Sequence, residues 1–340
     1  FLHSLQESGD VVWGTAYSSV YGGNTCNSEY EFLTGNTTAF LPVGSKPYQQ
    51  YLDEKQTSLV SLLGDTYGYE CVAVHPGDHS AWQRDEAYPA LGFDEFIDVD
   101  RFDVHRRLEH GLTSDRSSYD QVIYEYEHRD KEKPLFLFNV TIQNHGGYDD
   151  EDYPTTVQVE QAPGEYPQTE QYLSLTKKSD QALEYLIDYF SQQEEPVVIL
   201  FFGDHWPNLE PEFLSMLLGQ DSENLSFENV MREYQVPFFI WANYDLEGEE
   251  IEAVSLNYLS GLLLRAAGLE GTDYTNYLED LRQTLPVITA VGMLDQEGNW
   301  YKNGDATPYD DLLNEYNILE YNNAFGGNGK RMETFTLTVR

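Results

Sequence analysis

Short apolar runs alternate along this chain with longer stretches whose pattern suits helices. Residues 11–17, 71–74, 135–142, 196–202 and 236–241 have the length and the apolar or β-branched content of strands. The eight-residue run 135–142 is the clearest, and Pro237 places the last strand at a sheet edge or near its own first residues. Residues 25–33, 56–63, 80–91, 114–128, 170–190, 255–267 and 273–284 read as helices. Thr25 lies near the cap of the first, and Gly35 ends it. Ser255 caps the sixth and Gly268 stops it. Alternation of this kind predicts an α/β fold, a mostly parallel sheet flanked by helices. Residues 149–168 are acidic, contain prolines and show no period, which predicts a long loop over the site. After Pro286 the pattern weakens to a hairpin over 293–301, a helix over 309–321 and a loose tail over 326–340. The expected organisation is a main domain over 1–285 with a C-terminal hairpin-and-helix extension over 286–340 packed on it.

Charge narrows the choice of partner. The chain carries 59 acidic and 19 basic residues, a formal net charge of -40. No basic stripe is available to replace the counterions of nucleic acid, so nucleic acid is excluded as a partner. Contact with an anionic membrane surface through this part of the chain is equally unfavourable. A phosphate ester would have to be drawn in locally, by a metal and a few cationic side chains. Read without a ligand in view, so much acid serves solubility in an acidic or salty setting. Cys26 and Cys71 form no disulfide framework; they pair if the fold brings them together, or, as the favoured reading, remain two buried free thiols. No apolar run approaches the length of a membrane helix. Residues 1–8 read as the end of an amphipathic helix already in progress, with no initiating Met, and a segment of a longer protein is expected.

Candidate chemistry collects where the strands end. Ligand sites in open α/β sheets lie beyond the carboxyl ends of the strands. After 11–17 comes Thr25, behind the Gly-rich turn Tyr21-Gly-Gly-Asn24; after 71–74 come His75, Trp82 and Arg84; after 135–142 come Asn144 and His145; after 196–202 come Asp204 and His205. Each has a plain reading by itself: Thr25 as a helix cap, Asp204-His205 as a turn, His145 as a satisfied polar residue, Trp82 and Arg84 as a surface stack. A hydroxyl at a helix N-terminus with an Asp-His pair is how a single-metal phosphoryl transferase can be assembled, and the set and its order favour that reading over the separate plain ones.

The set resembles the extracellular catalytic domain of the lipoteichoic acid synthase family, sulfatase-like phosphoglycerol transferases of the alkaline phosphatase superfamily. The matching segments are Gly22-Gly-Asn-Thr-Cys-Asn-Ser-Glu29, His75 with Ala81-Trp-Gln-Arg-Asp85, Val140-Thr-Ile-Gln-Asn-His-Gly146, Phe202-Gly-Asp-His205 and Val236-Pro-Phe-Phe-Ile-Trp-Ala-Asn243. The resemblance implies Thr25 as nucleophile and metal ligand, with Asp204 and His205 as further ligands. It implies that His75, Trp82, Arg84 and His145 line the substrate pocket, with His145 as acid and then base, and Arg84 in a two-point contact to phosphoryl oxygens. An oxygen-rich set with one imidazole suits Mn²⁺ first, with Mg²⁺ or Zn²⁺ as alternatives. The implied donor is a phosphatidylglycerol-type phospholipid and the implied acceptor a glycerol-phosphate polymer or a glycan. The implied location is the outer face of a bacterial cell membrane, with a soluble domain tethered by upstream helices.

Two departures from the family's pattern stand out. The family's remaining metal ligand is an acidic residue at the end of a first strand, and only Glu7 and Asp10 precede Thr25 here. An apolar strand ending in Glu or Asp is therefore expected upstream of Phe1. Cys26 is followed by Asn-Ser-Glu and not by the Pro and Arg of sulfatases that convert Cys to formylglycine, which argues against sulfate ester chemistry. A phosphodiesterase, a phosphatase or, less favoured, a sulfatase with the same site, and a non-catalytic remnant, are the alternative readings.

Overall fold

The computed structural model describes residues 1–52, 55–326 and 332–337. After a short helix α1 (Leu2–Glu7), strand β1 (Val11–Tyr17) leads into α2 (Thr25–Thr34). Next come α3 (Leu59–Tyr67), β2 (Glu70–Val74), α4 (Arg84–Leu91), β3 (Glu95–Ile97), α5 (Asp115–His128) and β4 (Leu135–Asn139). A long loop precedes α6 (Pro167–Ser191), which is followed by β5 (Val198–Phe202), β6 (Gln235–Ala242), β7 (Glu249–Ser255), α7 (Leu259–Ala266) and α8 (Asp273–Thr284). Short strands β8 (Val287–Ile288), β9 (Gly292–Leu294) and β10 (Trp300–Lys302) and the helix α9 (Asp310–Phe325) complete the labelled elements.

Two ladders carry the site. One is four-stranded in the order β5-β6-β1-β7, and the other three-stranded in the order β3-β2-β4. All strand pairs in them are parallel except those made by β6, which runs against both β5 and β1. The expected α/β architecture is thus present. The main buried cluster runs from Val12 through Leu33, Tyr88, Phe138 and Leu262 to Leu285, Ile288 and Tyr316, so it draws on residues from both sides of position 285. The C-terminal part also bonds inward: the Tyr316 hydroxyl donates to Gly35 O at 2.7 Å, and Thr37 N–H donates to the Glu320 carboxylate at 2.8 Å. Among the described residues no helix is long and apolar enough to cross a membrane.

Several expectations need correction. The strand expected over 135–142 ends at Asn139; Val140 N–H makes the last bond of the ladder, to Val74 O, and the chain then turns. The helix expected over 80–91 is broken: Trp82 and Gln83 adopt left-handed conformations at φ 62° and φ 57°, so a 3₁₀ turn precedes α4. The helix expected over 56–63 begins at Leu59, where Ser58 and Ser61 form a reciprocal cap. Pro237 is third in a strand paired on both sides, so it lies among that strand's first residues, as one alternative had it, and not at an edge; it faces Gly203, just past the last paired residue of β5, so no ladder bond needs its missing N–H. Strand β7 was not expected, since its acidic sequence Glu-Glu-Ile-Glu-Ala-Val-Ser suits only a sheet edge. In the tail, Met332–Phe335 is helical, and residues 327–331 and 338–340 lie outside the described residues.

Gly14 sets how closely β1 and β7 approach. A Cβ there would lie 1.8 Å from Ile251 O, a backbone atom. Gly14→Ala is expected to destabilise the domain by about 1–3 kcal/mol through this overpacking. Urea unfolding would show it as a lower midpoint at unchanged slope.

Candidate active site

The turn between β1 and α2 is built from residue types that its backbone demands. Gly22, Gly23 and Asn24 all have positive φ, at 67°, 148° and 67°. Glycine meets no Cβ penalty there, and Asn is among the side chains that tolerate the left-handed region. Gly22 is also required for space, because a Cβ would lie 2.5 Å from Asn208 Oδ1. The turn delivers Thr25 as the first helical residue, with Asn24 as N-cap making no side-chain cap bond. First-turn N–H groups without a side-chain cap, at the positive end of a ten-residue helix, make a ready anion site.

The loop after β5 meets this helix end. Thr25 Oγ1 donates to Asp204 Oδ2 at 2.7 Å and lies 3.4 Å from His205 Nε2. Asp204 Oδ2 and His205 Nε2 are 3.1 Å apart. His205 Nδ1 donates to the Trp206 carbonyl at 2.8 Å, which assigns its proton to that nitrogen and leaves the Nε2 lone pair facing the carboxylate and the hydroxyl. One helical turn on, Ser28 Oγ donates to the Asp204 carbonyl at 2.7 Å and lies 3.1 Å from Ser18 Oγ. The end of β1, the first turns of α2 and the end of β5 are thereby joined.

This donor set fits a divalent cation. A carboxylate oxygen, a hydroxyl oxygen and an imidazole lone pair converge, and the imidazole is oriented by a carbonyl in the way ligating histidines are. Among the described residues no group of three or more His, Cys, Asp or Glu side chains is arranged to hold a metal, so Thr25, Asp204 and His205 would be the ligands from those residues.

The other expected residues are placed differently. His75, at the end of β2, is 5% exposed, and its Nδ1 donates to Val140 O at 2.8 Å. Burial, then the neighbouring Arg84 charge, lowers its pKa to about 4, so the ring is neutral at physiological pH. His145 is exposed in the loop after β4, close enough to His75 to act on it electrostatically. That loop is pinned to α6 by Gln143 and Asn144, whose amides donate to Ser179 Oγ at 3.1 and 2.8 Å. Trp82 sits in its strained left-handed turn with Lys46 Nζ 4.7 Å from its ring centroid.

Arg84 departs from its expected contact to phosphoryl oxygens. It is 2% exposed; its Nε and Nη2 donate to the Glu29 carboxylate at 3.1 and 2.5 Å, and Nη1 donates to Ala81 O at 3.3 Å. Tyr88 adds a hydrogen bond to the other Glu29 oxygen at 2.8 Å. Burial alone would raise the Glu29 carboxyl, but the Arg84 charge and these hydrogen bonds hold it below the usual carboxylate range. Arg84 therefore fixes α2 one turn below Thr25.

Sequence reasoning also missed Ser28, Lys46, Tyr148 and Tyr172. Ser28 could have been found as the residue three after Thr25 on one helix face. Tyr148 is buried and donates to Asn144 O at 2.6 Å. Burial, then Tyr172 and Asp204, raises its pKa, which places its phenol within electrostatic reach of the site. Both cysteines are buried and free; burial, then Glu29, pushes the Cys26 thiol up to about 12, so it is a poor nucleophile beside Thr25.

A hydroxyl on a helix N-terminus, answered by an Asp-His pair from the end of another strand, gives this α/β sheet one cluster of ligand-type side chains at its strand ends. The sulfatase family model matches residues 11–269, and the chain belongs to that family. It is similar to a Rhizobium meliloti (strain 1021) protein named for cyclic beta-1,2-glucan modification, at 30% identity over 93% of this chain and 50% of that protein. It is also similar to the lipoteichoic acid synthase of Staphylococcus saprophyticus, at 27% identity over 68% of this chain and 36% of that protein. The chain thus spans half or less of the length of these relatives. Among solved structures, the Streptococcus pyogenes phosphoglycerol transferase GacH, in complex with sn-glycerol-1-phosphate, shares the fold at a TM-score of 0.76 and 20% identity, covering 99% of this chain and 82% of that one.

Two outcomes are expected from the buried groups. Arg84→Met strands the Glu29 charge and is expected to cost about 3–5 kcal/mol, with much of that recovered in the Glu29→Gln/Arg84→Met double variant; chemical denaturation of the three variants measures it. His75 binds its proton more readily unfolded, at about 6.5, than folded, at about 4. Its contribution therefore lowers stability as pH falls from 6.5 to 4 and is constant above that window. His75→Gln should flatten that part of a plot of Tm against pH.

Proposed function

We propose that this domain is a phosphoglycerol transferase that moves glycerol phosphate from a phosphatidylglycerol-type lipid to a cell-envelope polymer or glycan. The observation that carries the reading is the meeting of Thr25 Oγ1 with Asp204 and His205 at an uncapped helix N-terminus. Thr25 releases its hydroxyl proton to solvent and attacks phosphorus, and diacylglycerol leaves, giving a glycerophospho-threonine. An acceptor hydroxyl then attacks the same phosphorus, the bond to the Thr25 oxygen breaks, and that oxygen takes a proton back from solvent. Asp204 accepts the Thr25 hydrogen bond and orients the oxygen; the first N–H groups of α2 receive the phosphoryl oxygens. His145, exposed in the loop after β4, gives a proton to the leaving alcohol and takes one from the acceptor. His75, neutral, and Trp82 with Lys46 line the pocket, and Arg84 serves as a positioning residue through Glu29. A divalent cation held by Thr25, Asp204 and His205, Mn²⁺ foremost, with Mg²⁺ or Zn²⁺ as alternatives, would lower the hydroxyl pKa and neutralise phosphoryl charge. The relative named for glucan modification supports a glycan acceptor. The proposed setting is the outer face of the membrane, reached through parts of the polypeptide outside these residues.

In the complete polypeptide, Thr25→Ala is expected to abolish turnover and any covalent phospho-intermediate, while Cys26→Ser retains activity. His145→Ala should slow the reaction by roughly 10²–10⁴. Supplying phosphatidylglycerol labelled in the headgroup separates the alternatives. Label in a polymer or glycan supports transfer, label in free glycerol phosphate means a hydrolase, and intact lipid after metal addition means a non-catalytic remnant.

A further inference from the structure

Lys46 is a cation that the fold leaves without an anion. With 59 acidic residues against 19 basic ones, a lysine or arginine of this chain has carboxylates in plenty to choose from. Among the described residues that are buried or half-buried, Arg84, Arg116, Arg129, Lys178 and Arg282 each pair with one. Lys46, also half-buried, makes no ion pair among the described residues, and the other lysines and arginines without one are exposed. Its ammonium lies instead over the Trp82 ring, 4.7 Å from the centroid. The face of a ring attracts a cation less than a full negative charge does.

Two ties put this pair beside the first turns of α2. Asn27 Nδ2 donates to Ser45 O at 3.0 Å, so the residue before Lys46 is bound to the second residue after Thr25. Arg84 ties the turn that holds Trp82 to the same helix, through Ala81 O on one side and the Glu29 carboxylate on the other. The short helix Pro47–Gln50 packs against both α2 and the turn Ala81–Gln83. The charge of Lys46 is also felt at the residue after Thr25: burial and then Glu29 raise the Cys26 thiol, and the Arg84 and Lys46 charges oppose them. The Trp82 backbone is fixed in a left-handed turn at φ 62°, whereas the Lys46 ammonium rides on a flexible four-carbon stem and can leave the ring.

We infer that Lys46 is a substrate-contacting residue, whose ammonium leaves the Trp82 face and donates to a phosphate oxygen of the substrate held at Thr25. This rests on the reading above in one respect, that a phosphate sits at Thr25. Lys46 then makes the cationic contact expected of Arg84, whose guanidinium is buried and taken up by Glu29. His75 does not supply that contact, because its ring is neutral. A phosphate oxygen gives the ammonium a charge-assisted hydrogen bond in exchange for a ring face, so binding itself favours the move. Lys46 acts as a point charge with three donors, so it tolerates phosphate oxygens in several orientations where a planar guanidinium demands one.

Calorimetric titration of sn-glycerol-1-phosphate into the complete polypeptide, with Mn²⁺ in excess, tests this. Lys46→Met should weaken binding roughly 10- to 100-fold, the worth of one hydrogen bond to a charged group. Lys46→Arg keeps the charge and should stay within about threefold of the unsubstituted protein. The affinity of Lys46→Met should also fall less steeply with added salt, a change that a purely structural lysine would not produce. Equal affinity with and without Lys46, binding by neither included, overturns the inference, and so does a loss that Lys46→Arg shares in full. If Lys46→Met does not fold, Lys46→Gln takes its place in the same comparison. The outcome is separate from that of the labelled lipid: binding that depends on Lys46 without any transfer retires the transferase reading and leaves this contact standing.

Discussion

The hydrogen bond from Thr25 to Asp204 is the contact on which the candidate site depends. It joins residues 179 positions apart, so it exists only when the sheet has brought the ends of β1 and β5 together. Its geometry is held by backbone as much as by side chains. Ser28 fixes the Asp204 carbonyl, and Gly22 N–H donates to the Trp206 carbonyl at 2.9 Å, so the two loops are tied together before and after Thr25 in the chain. The Glu29–Arg84 pair holds α2 from the opposite side, in a buried place where a guanidinium and a carboxylate are stable only as partners.

Much of this was legible in the sequence. β1 and α8 lie where the pattern placed them, and Thr25, Asp204 and His205 come together because a mostly parallel sheet gathers the loops that leave its strand ends along one edge. The partner of Arg84 was not legible. A long flexible side chain can reach in several directions, and the helix-face argument that puts Glu29 one turn below Thr25 says nothing about what approaches that face. The break at Trp82 and Gln83 was hidden because neither is Gly or Asn, the residues that usually announce a left-handed turn. Strand β7 was hidden by its own acidity, which is tolerable because it pairs on one side only. Tyr148 and Tyr172 reach the neighbourhood of Asp204 through tertiary packing that no local spacing encodes.

The charge of the molecule and the chemistry of its site pull in opposite directions. A protein with a formal net charge of -40 does not attract phosphate esters at long range. The cationic side chains near the site do little to change this: Arg84 is neutralised by Glu29, His75 is uncharged, and Lys46 rests on Trp82. In the proposed function, recognition of a phosphoryl group would be left to backbone N–H groups, to the cation that Thr25, Asp204 and His205 would hold and to Lys46 once it leaves Trp82, all of which act over a few ångströms. Such a site selects by fit at contact more than by steering.

The run of left-handed residues at Gly22, Gly23 and Asn24 has a kinetic consequence. Their dihedral angles are set by residue type and by the close approach of Asn208, so the turn has few other shapes to visit. The Thr25 hydroxyl, the nucleophile of the proposed function, is then in place before any substrate arrives, and the entropy of ordering it has been spent during folding. Little reorganisation remains for the chemical step. On that reading, changes of rate among natural variants would arise more from the exposed His145 side chain, whose backbone has no left-handed turn to fix it, than from the threonine side.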